Sequence, residues 1–431
     1  MGSNGYRLDT LCVHAGQEPD PTTNARGVPV HRTSSYVFRD TEHAANLFGL
    51  KELGNIYTRL MNPTQDVLEK RAAALEGGAA ALALASGTSA IHYSVLNICQ
   101  AGDEIVSAND LYGGTYTMFD SIHPQLGIKT NFVDPTNPEN FAKAITKKTK
   151  LIFLETCGNP ALNVPDFDAI VDIAKAHGIP VVCDNTFATP ALFRPIDHGV
   201  NVVCHSLTKW MGGHGTALGG VVVDGANFDW TSEKFPLFNE PDGSYHGLRY
   251  AHDLGDLNPV CFILRMRLVP LRNLGACISP DNAWMVLQGL ETLSLRMERH
   301  CSNAMKVAEY LQGHKSVEWV KYPGLKDHPT HANASKYLKG GFGGMVVFGI
   351  KGGAEAGCKF IENLELFSHL ANVGDAKSLA IHPYTTTHSQ LNHEQKVAGG
   401  ILPELVRLSI GIENPADIIA DIDRALAVAT K

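Results

Sequence analysis

The chain has 431 residues, too many for one hydrophobic core, so two domains with an extended segment are expected. Apolar residues make up 44% and charged residues 19%, the balance of a water-soluble globular protein, and no apolar run approaches the ~18 residues of a membrane span. A net charge of -8 argues against nucleic acid or an anionic membrane as the main partner.

The N-terminus, Met1-Gly2-Ser3-Asn4-Gly5-Tyr6, lacks the basic start and apolar stretch of a secretory signal, and Tyr6 stands where a myristoylation signal wants Ser or Thr. The nine cysteines show no Cys-x-x-Cys pair. Cys99, Cys183, Cys204 and Cys261 lie in apolar segments and read as small buried hydrophobes. The odd count at irregular spacing suits a reducing compartment, so the cytoplasm is the expected location.

Residues 1–60 are turn-rich and weakly periodic, as in Gln17-Glu18-Pro19-Asp20-Pro21. Tyr36, Val37, Phe38, Leu47, Phe48 and Tyr57 are too apolar for a free tail, so this segment is expected to be an arm packed on a neighbouring subunit. From 61 to 280 short apolar runs alternate with helical stretches: Leu151 to Glu155, then a helix from Asp166 to His177, then Val181 to Asp184. Pro165-Asp166 opens that helix and Gly178 follows its end. The alternation predicts a mostly parallel sheet covered on both faces, with ligands at the carboxyl ends of the strands. Ser279-Pro280-Asp281-Asn282 starts a helix predicted to run to Leu311 and to stop at Gly313. Residues 281–431 then form a smaller α+β domain, with a strand at Gly344 to Phe348 and helices at Glu355 to Leu364 and Pro415 to Ala429.

Two strand ends carry the chemistry. Val202-Val203-Cys204-His205-Ser206-Leu207-Thr208-Lys209 leads an apolar run into a lysine, and the glycine-rich Gly212-Gly213-His214-Gly215 follows. Val181-Val182-Cys183-Asp184 ends an apolar strand on a carboxylate. A lysine in an apolar site has its ammonium disfavoured, which frees the amine as nucleophile and base. A third strand, Ala81 to Ala85, leads through Ser86-Gly87-Thr88-Ser89 into a helix whose first amides face an anion. The helix dipole contributes only roughly 0.3–2 kcal/mol there, so hydroxyls and a cation should converge on the same anion. Ser206 and Thr208 supply hydroxyls pointing one way if their segment is extended. An amine among phosphate-binding hydroxyls, with an acid from the next strand, is what pyridoxal 5'-phosphate requires: Lys209 for the Schiff base, Asp184 for the ring nitrogen.

Together with Tyr57-Thr58-Arg59, Asn62-Pro63-Thr64 and Arg407-Leu408-Ser409-Ile410-Gly411-Ile412-Glu413, these motifs resemble the Cys/Met-metabolism family of pyridoxal-phosphate enzymes, from about Thr10 onward. The resemblance implies the aspartate-aminotransferase architecture (fold type I): an arm, a large cofactor domain and a smaller C-terminal domain. It implies that Tyr112, in Asp110-Leu111-Tyr112-Gly113-Gly114, stacks on the cofactor ring, and that Ser86, Gly87, Thr88, Ser206 and Thr208 hold the phosphate. Tyr57 and Arg59 are expected to reach that phosphate from a neighbouring subunit, so active sites would be shared in a dimer, within a homotetramer. Arg407 is expected to clamp the substrate α-carboxylate, with Asn159 and Ser378 nearby, and Tyr112 and Tyr57 to assist proton transfer. Thr88 departs from the methionine or glutamine frequent in the family, with little consequence for binding by backbone amides.

Asn372-Val373-Gly374-Asp375-Ala376-Lys377-Ser378 and the stretch Trp230 to Leu257 resemble the O-acetylhomoserine sulfhydrylases within that family. The implied reaction is a γ-replacement joining O-acetylhomoserine to sulfide or a thiol, with Lys209 as the base. Cystathionine γ-synthase or γ-lyase chemistry would use the same residues. A non-catalytic binding protein and an oxidoreductase are the more distant alternatives. Gly213-x-Gly215 has the wrong spacing and position for a dinucleotide loop. No metal is expected: proline interrupts His328-Pro329-Thr330-His331, and neither it nor the His382, His388, His393 group has completing ligands.

Overall fold

The computed structural model describes residues 5–387, 389, 392–398 and 400–431, so Met1 to Asn4 and His388 lie outside the described residues. A seven-stranded sheet contains β1 (Ala80–Leu84), β2 (Glu104–Ala108), β3 (Lys129–Val133), β4 (Thr149–Glu155), β5 (Val181–Asp184), β6 (Val202–Ser206) and β7 (Gly220–Asp224). Their spatial order is β1-β7-β6-β5-β4-β2-β3, and β7 alone runs antiparallel to its neighbours. The valine-rich interior strands are buried on both faces, as expected where helices cover a parallel sheet.

The second sheet holds β8 (Val317–Lys321), β9 (Met345–Ile350), β10 (Ser368–His369), β11 (Leu379–Ile381) and β12 (Leu405–Ser409), in the order β10-β11-β12-β9-β8. The helix between the sheets differs from the sequence expectation. It is two helices, Pro280–Glu291 and Leu293–Gln312, joined at Thr292. The carbonyl of Gly289 accepts both the Thr292 amide at 3.3 Å and the Arg296 guanidinium at 2.7 Å, and Arg296 also donates to the Trp210 carbonyl at 2.6 Å. Leu293 and Met297 belong to the core under the large sheet, Val307 and Leu311 to the core under the small one, so the second helix joins both cores.

The arm contains α1 (Leu8–His14) and α2 (Thr41–Phe48). The first part of it makes contacts with its own chain. Leu11 and Cys12 are buried, and Arg71 from α3 (Pro63–Glu76) donates to the Ala15 carbonyl at 3.0 Å and to Gln17 at 3.1 Å. Arg71 is buried, and those acceptors offset the cost of desolvating it. Farther along, Leu47 is buried on its own chain, while Val37 is 97% and Leu53 69% exposed. Around Trp230, the rings of Phe238 and Phe262 stack, and Tyr245 donates to the Phe48 carbonyl at 2.8 Å.

Candidate active site

The carboxyl ends of β4, β5 and β6 open into a cavity of about 220 Å³. Lys209 enters it three residues past the end of β6, and its Nζ donates to Asn372 Oδ1 from the small domain. Burial, with the charge of Arg407 added, lowers its pKa to about 8. Asp184 ends β5 in the same wall, and its Oδ1 accepts the Thr186 amide at 2.9 Å and the Thr186 hydroxyl at 2.5 Å. Burial raises its pKa, and those two bonds oppose the rise.

The anion-binding turn begins α4 (Gly87–Ile98). Ser86 caps this helix reciprocally with Ser89, at 3.1 Å and 3.0 Å, so its side chain serves the cap and the free amides are those of Gly87 and Thr88. The turn lies tight on the sheet: a Cβ on Gly87 would stand 2.6 Å from the Ser206 Cβ. Ser206 and Thr208 line the cavity, but not along one extended segment, because β6 ends at Ser206 and Thr208 sits in the following turn. Thr208 Oγ1 accepts the Gly219 amide at 3.2 Å.

Tyr112 lines the mouth and is 55% exposed, its amide donating to Glu155 Oε1 at 2.7 Å. Gly114 leaves room for the ring: a Cβ there would stand 2.5 Å from a ring carbon of Tyr112. Asn159 and Arg407 complete the cluster, and burial lowers the Arg407 pKa to about 10.

Three expected residues do not line the cavity of their own chain. Ser378 is fully buried but does not line the cavity; its hydroxyl donates to Glu413 at 3.0 Å and accepts the Gly411 amide at 2.9 Å. Glu413 captures it because β11 and the turn after β12 meet there. Tyr57 and Arg59, expected at a neighbouring subunit's phosphate, lie off the cavity of their own chain; Arg59 donates to the Arg272 carbonyl and stacks 5.4 Å from the Tyr57 ring centre. Lining residues that the sequence reading did not assign to the site include Glu155, Thr186 and Asn372. Glu155 gave the same signal as Asp184, an apolar strand ending on a carboxylate. Asn372 heads the segment that resembles the sulfhydrylases, but no local pattern announced its bond to Lys209, 163 positions away.

Among the described residues no group of three or more His, Cys, Asp or Glu side chains could hold a metal. His328, His331 and His382 are engaged with the carbonyls of Ala161, Pro323 and Pro403 at 3.1, 2.8 and 2.8 Å.

A buried amine, a carboxylate on the next strand, a helix N-terminus with two free amides, and a glycine contact that a methyl would fill together fit the aldehyde, ring nitrogen and phosphate of pyridoxal phosphate. The sequence pattern of the Cys/Met metabolism PLP-dependent enzymes matches residues 9–427. The chain belongs to that family. Its members use pyridoxal phosphate, and the two sheets are those of fold type I.

Among relatives of the family, the chain is 56% identical to the O-acetyl-L-homoserine sulfhydrylase of Leptospira meyeri, over 98% of this chain and 97% of that one. It is 51% identical to the homocysteine synthase of Schizosaccharomyces pombe, over the whole of both chains. A crystal structure from Campylobacter jejuni of a protein assigned as an O-acetylhomoserine (thiol)-lyase, carrying N'-pyridoxyl-lysine-5'-monophosphate, superposes with a TM-score of 0.94 at 41% identity, covering 98% of this chain and 100% of that one.

Proposed function

We propose that this enzyme catalyses γ-replacement on O-acetylhomoserine, joining its four-carbon amino-acid skeleton to sulfide or a thiol and releasing acetate. The observation that carries this reading is the convergence of Lys209, Asp184 and Arg407 on one cavity in a chain half identical, end to end, to proteins named for that chemistry.

Bound at Lys209, pyridoxal phosphate supplies an electron sink for the substrate's α-carbon. The remaining work falls to side chains. Arg407 pairs with the α-carboxylate through two parallel N–H···O bonds, an interaction strengthened where water is excluded. Asn159 and the Gly87 and Thr88 amides, with Ser206 and Thr208, hold the cofactor in register. Displaced from the cofactor by the substrate's amino group, the Lys209 amine, whose ammonium is disfavoured by burial, would take the proton from Cα and then move one at Cβ. General-base catalysis of this kind contributes roughly 10²–10⁴-fold. Acetate leaves from Cγ, and the sulfur nucleophile adds there. Homocysteine forms from sulfide, methionine from methanethiol. Tyr112, over the mouth, is placed to steer the leaving group.

The cations lining the cavity are Lys209, which holds the cofactor, and Arg407, assigned to the substrate carboxylate, which leaves no cation for the phosphate. Tyr57 and Arg59 of a second copy would supply it, so the working unit is a dimer with shared sites, assembled into a homotetramer. Among the described residues no helix is long and apolar enough to cross a membrane. All nine cysteines are free thiols, which supports a cytoplasmic enzyme.

The deciding experiment is a matrix of acetyl-, succinyl- and phosphohomoserine against sulfide, methanethiol and cysteine. Fastest turnover of the acetyl ester with sulfide or methanethiol is expected. Preference for cysteine as nucleophile, or faster cleavage of cystathionine, would assign the chain to the γ-synthase or γ-lyase chemistry instead.

A further inference from the structure

Two carboxylates end neighbouring strands at the cavity, and the cofactor needs only one. Glu155 and Asp184 are register partners at the ends of β4 and β5, and both line the cavity. Glu155 is 7% exposed, and its Oε1 accepts the Tyr112 amide at 2.7 Å. The charged groups nearest it are like-charged: Asp184 on β5 and Asp110 after β2. Cys157 follows two residues on, and Lys209 and Arg407 line the same cavity.

Adjacent carboxylates in a low-dielectric wall do not both stay ionised; the pair shares one proton, held by the member whose anion is less well solvated. Asp184 accepts two hydrogen bonds from Thr186, amide and hydroxyl, and Glu155 one from Tyr112. The proton therefore belongs on Glu155, and burial together with the charge of Asp184 drives its pKa well above the carboxylate range. The carbonyl oxygen of a neutral acid still accepts the Tyr112 amide.

We propose that Glu155 is a positioning residue of the cofactor site: as a neutral carboxylic acid it ties the Tyr112 backbone to the end of β4 and leaves Asp184 as the single anion of the pair. Two separate demands are met by this arrangement. The ring of Tyr112, otherwise open to solvent, is held where it can cover the cofactor. The ring nitrogen then faces one full negative charge instead of two competing half-occupied ones. The proposal rests on the reading that this cavity holds pyridoxal phosphate at Lys209.

The test compares holoenzymes of wild type, Glu155→Gln and Glu155→Ala by pH titration of the visible cofactor band from pH 6 to 10, and by equilibrium binding of pyridoxal phosphate. Gln is neutral and keeps an oxygen for the Tyr112 amide. Its titration midpoint is expected within ~0.3 unit of wild type and its cofactor affinity within about threefold, while Ala binds cofactor at least about tenfold more weakly. A midpoint lowered by roughly one to two units in Glu155→Gln, the effect of removing a full negative charge several ångströms away at an effective dielectric near 20, overturns the proposal. Wild-type affinity in Glu155→Ala overturns it too. Should the Ala variant not fold, the Gln midpoint and affinity decide alone. A wild-type protein without any visible band removes the cofactor reading and this proposal together, whereas a shifted Gln midpoint in a normally coloured protein removes the proposal only.

Discussion

Asp184 and Ser206, on the neighbouring strands β5 and β6, are joined through one hydroxyl: Thr186 Oγ1 donates to Asp184 at 2.5 Å and accepts the Ser206 amide at 2.8 Å. The group expected at the cofactor's ring nitrogen and the strand end expected at its phosphate are thereby held at a set separation. Replacing Thr186 by Val keeps the shape and removes both bonds. The Ser206 amide loses its acceptor and Asp184 one of its donors, at a cost of about 1–3 kcal/mol in stability. Cofactor affinity should fall roughly tenfold by equilibrium dialysis, with urea unfolding reporting the stability loss. Unchanged affinity would show that the two ends are positioned independently.

The lowered pKa of Lys209 has a stability signature in cofactor-free protein. A lysine in an unfolded chain stays protonated to about 10.4, whereas Lys209 titrates at about 8 in the fold. Between those values the unfolded state binds the extra proton, so stability rises with pH across that window and is flat in this respect below it. Relative to Lys209→Met, the wild-type apoprotein should gain roughly 2–3 kcal/mol from pH 8 to pH 10.5 in urea unfolding. A pH-independent difference would mean that the amine is not desolvated.

Shared active sites make a complementation prediction. Within its own chain Arg59→Ala removes a bond to the Arg272 carbonyl and the stacking on Tyr57, half-exposed contacts worth about 1–2 kcal/mol together. In a dimer with sites completed across the interface, the variant loses cofactor affinity and activity far beyond that loss. Mixing Arg59→Ala with Lys209→Ala subunits should restore activity that neither has, because a hybrid dimer contains one intact site. No recovery after subunit exchange, confirmed by a tagged pull-down, would place Arg59 outside the site.

Ser378 and Arg407 should separate cleanly in kinetics. Ser378→Ala strips the Gly411 amide of its acceptor and Glu413 of one donor, so it should cost about 1–3 kcal/mol in stability and leave KM for the amino-acid substrate within about twofold. Arg407→Lys loses the planar fork and should raise KM at least about tenfold with the visible cofactor band intact. A large KM effect in Ser378→Ala would restore it to the substrate site.

The fold class and the cofactor chemistry were readable from local pattern. An apolar run ending in a polar residue, repeated between helices, places Lys209, Asp184 and the Ser86-Gly87 turn at one edge of a parallel sheet, because the side-chain polarity of each strand already says which end is buried. Side-chain direction was not readable in the same way. Ser378 sits in a motif that resembles substrate-binding segments, yet its hydroxyl turns to Glu413, 35 positions away, because β11 and the turn after β12 pack together. The expected single helix after Ser279 breaks at Thr292, where Arg296 reaches back to the Gly289 carbonyl, a contact that helical periodicity does not announce.

Sequence by itself determined the parallel sheet, the lysine and carboxylate at its edge and the glycine turn for an anion, since each depends on residues close together along the chain. Only the tertiary structure decided that Glu155 stands beside Asp184 and that Asn372 receives the Lys209 amine. Those relationships come from how strands order in a sheet and how two cores close on one another, and no local periodicity encodes them.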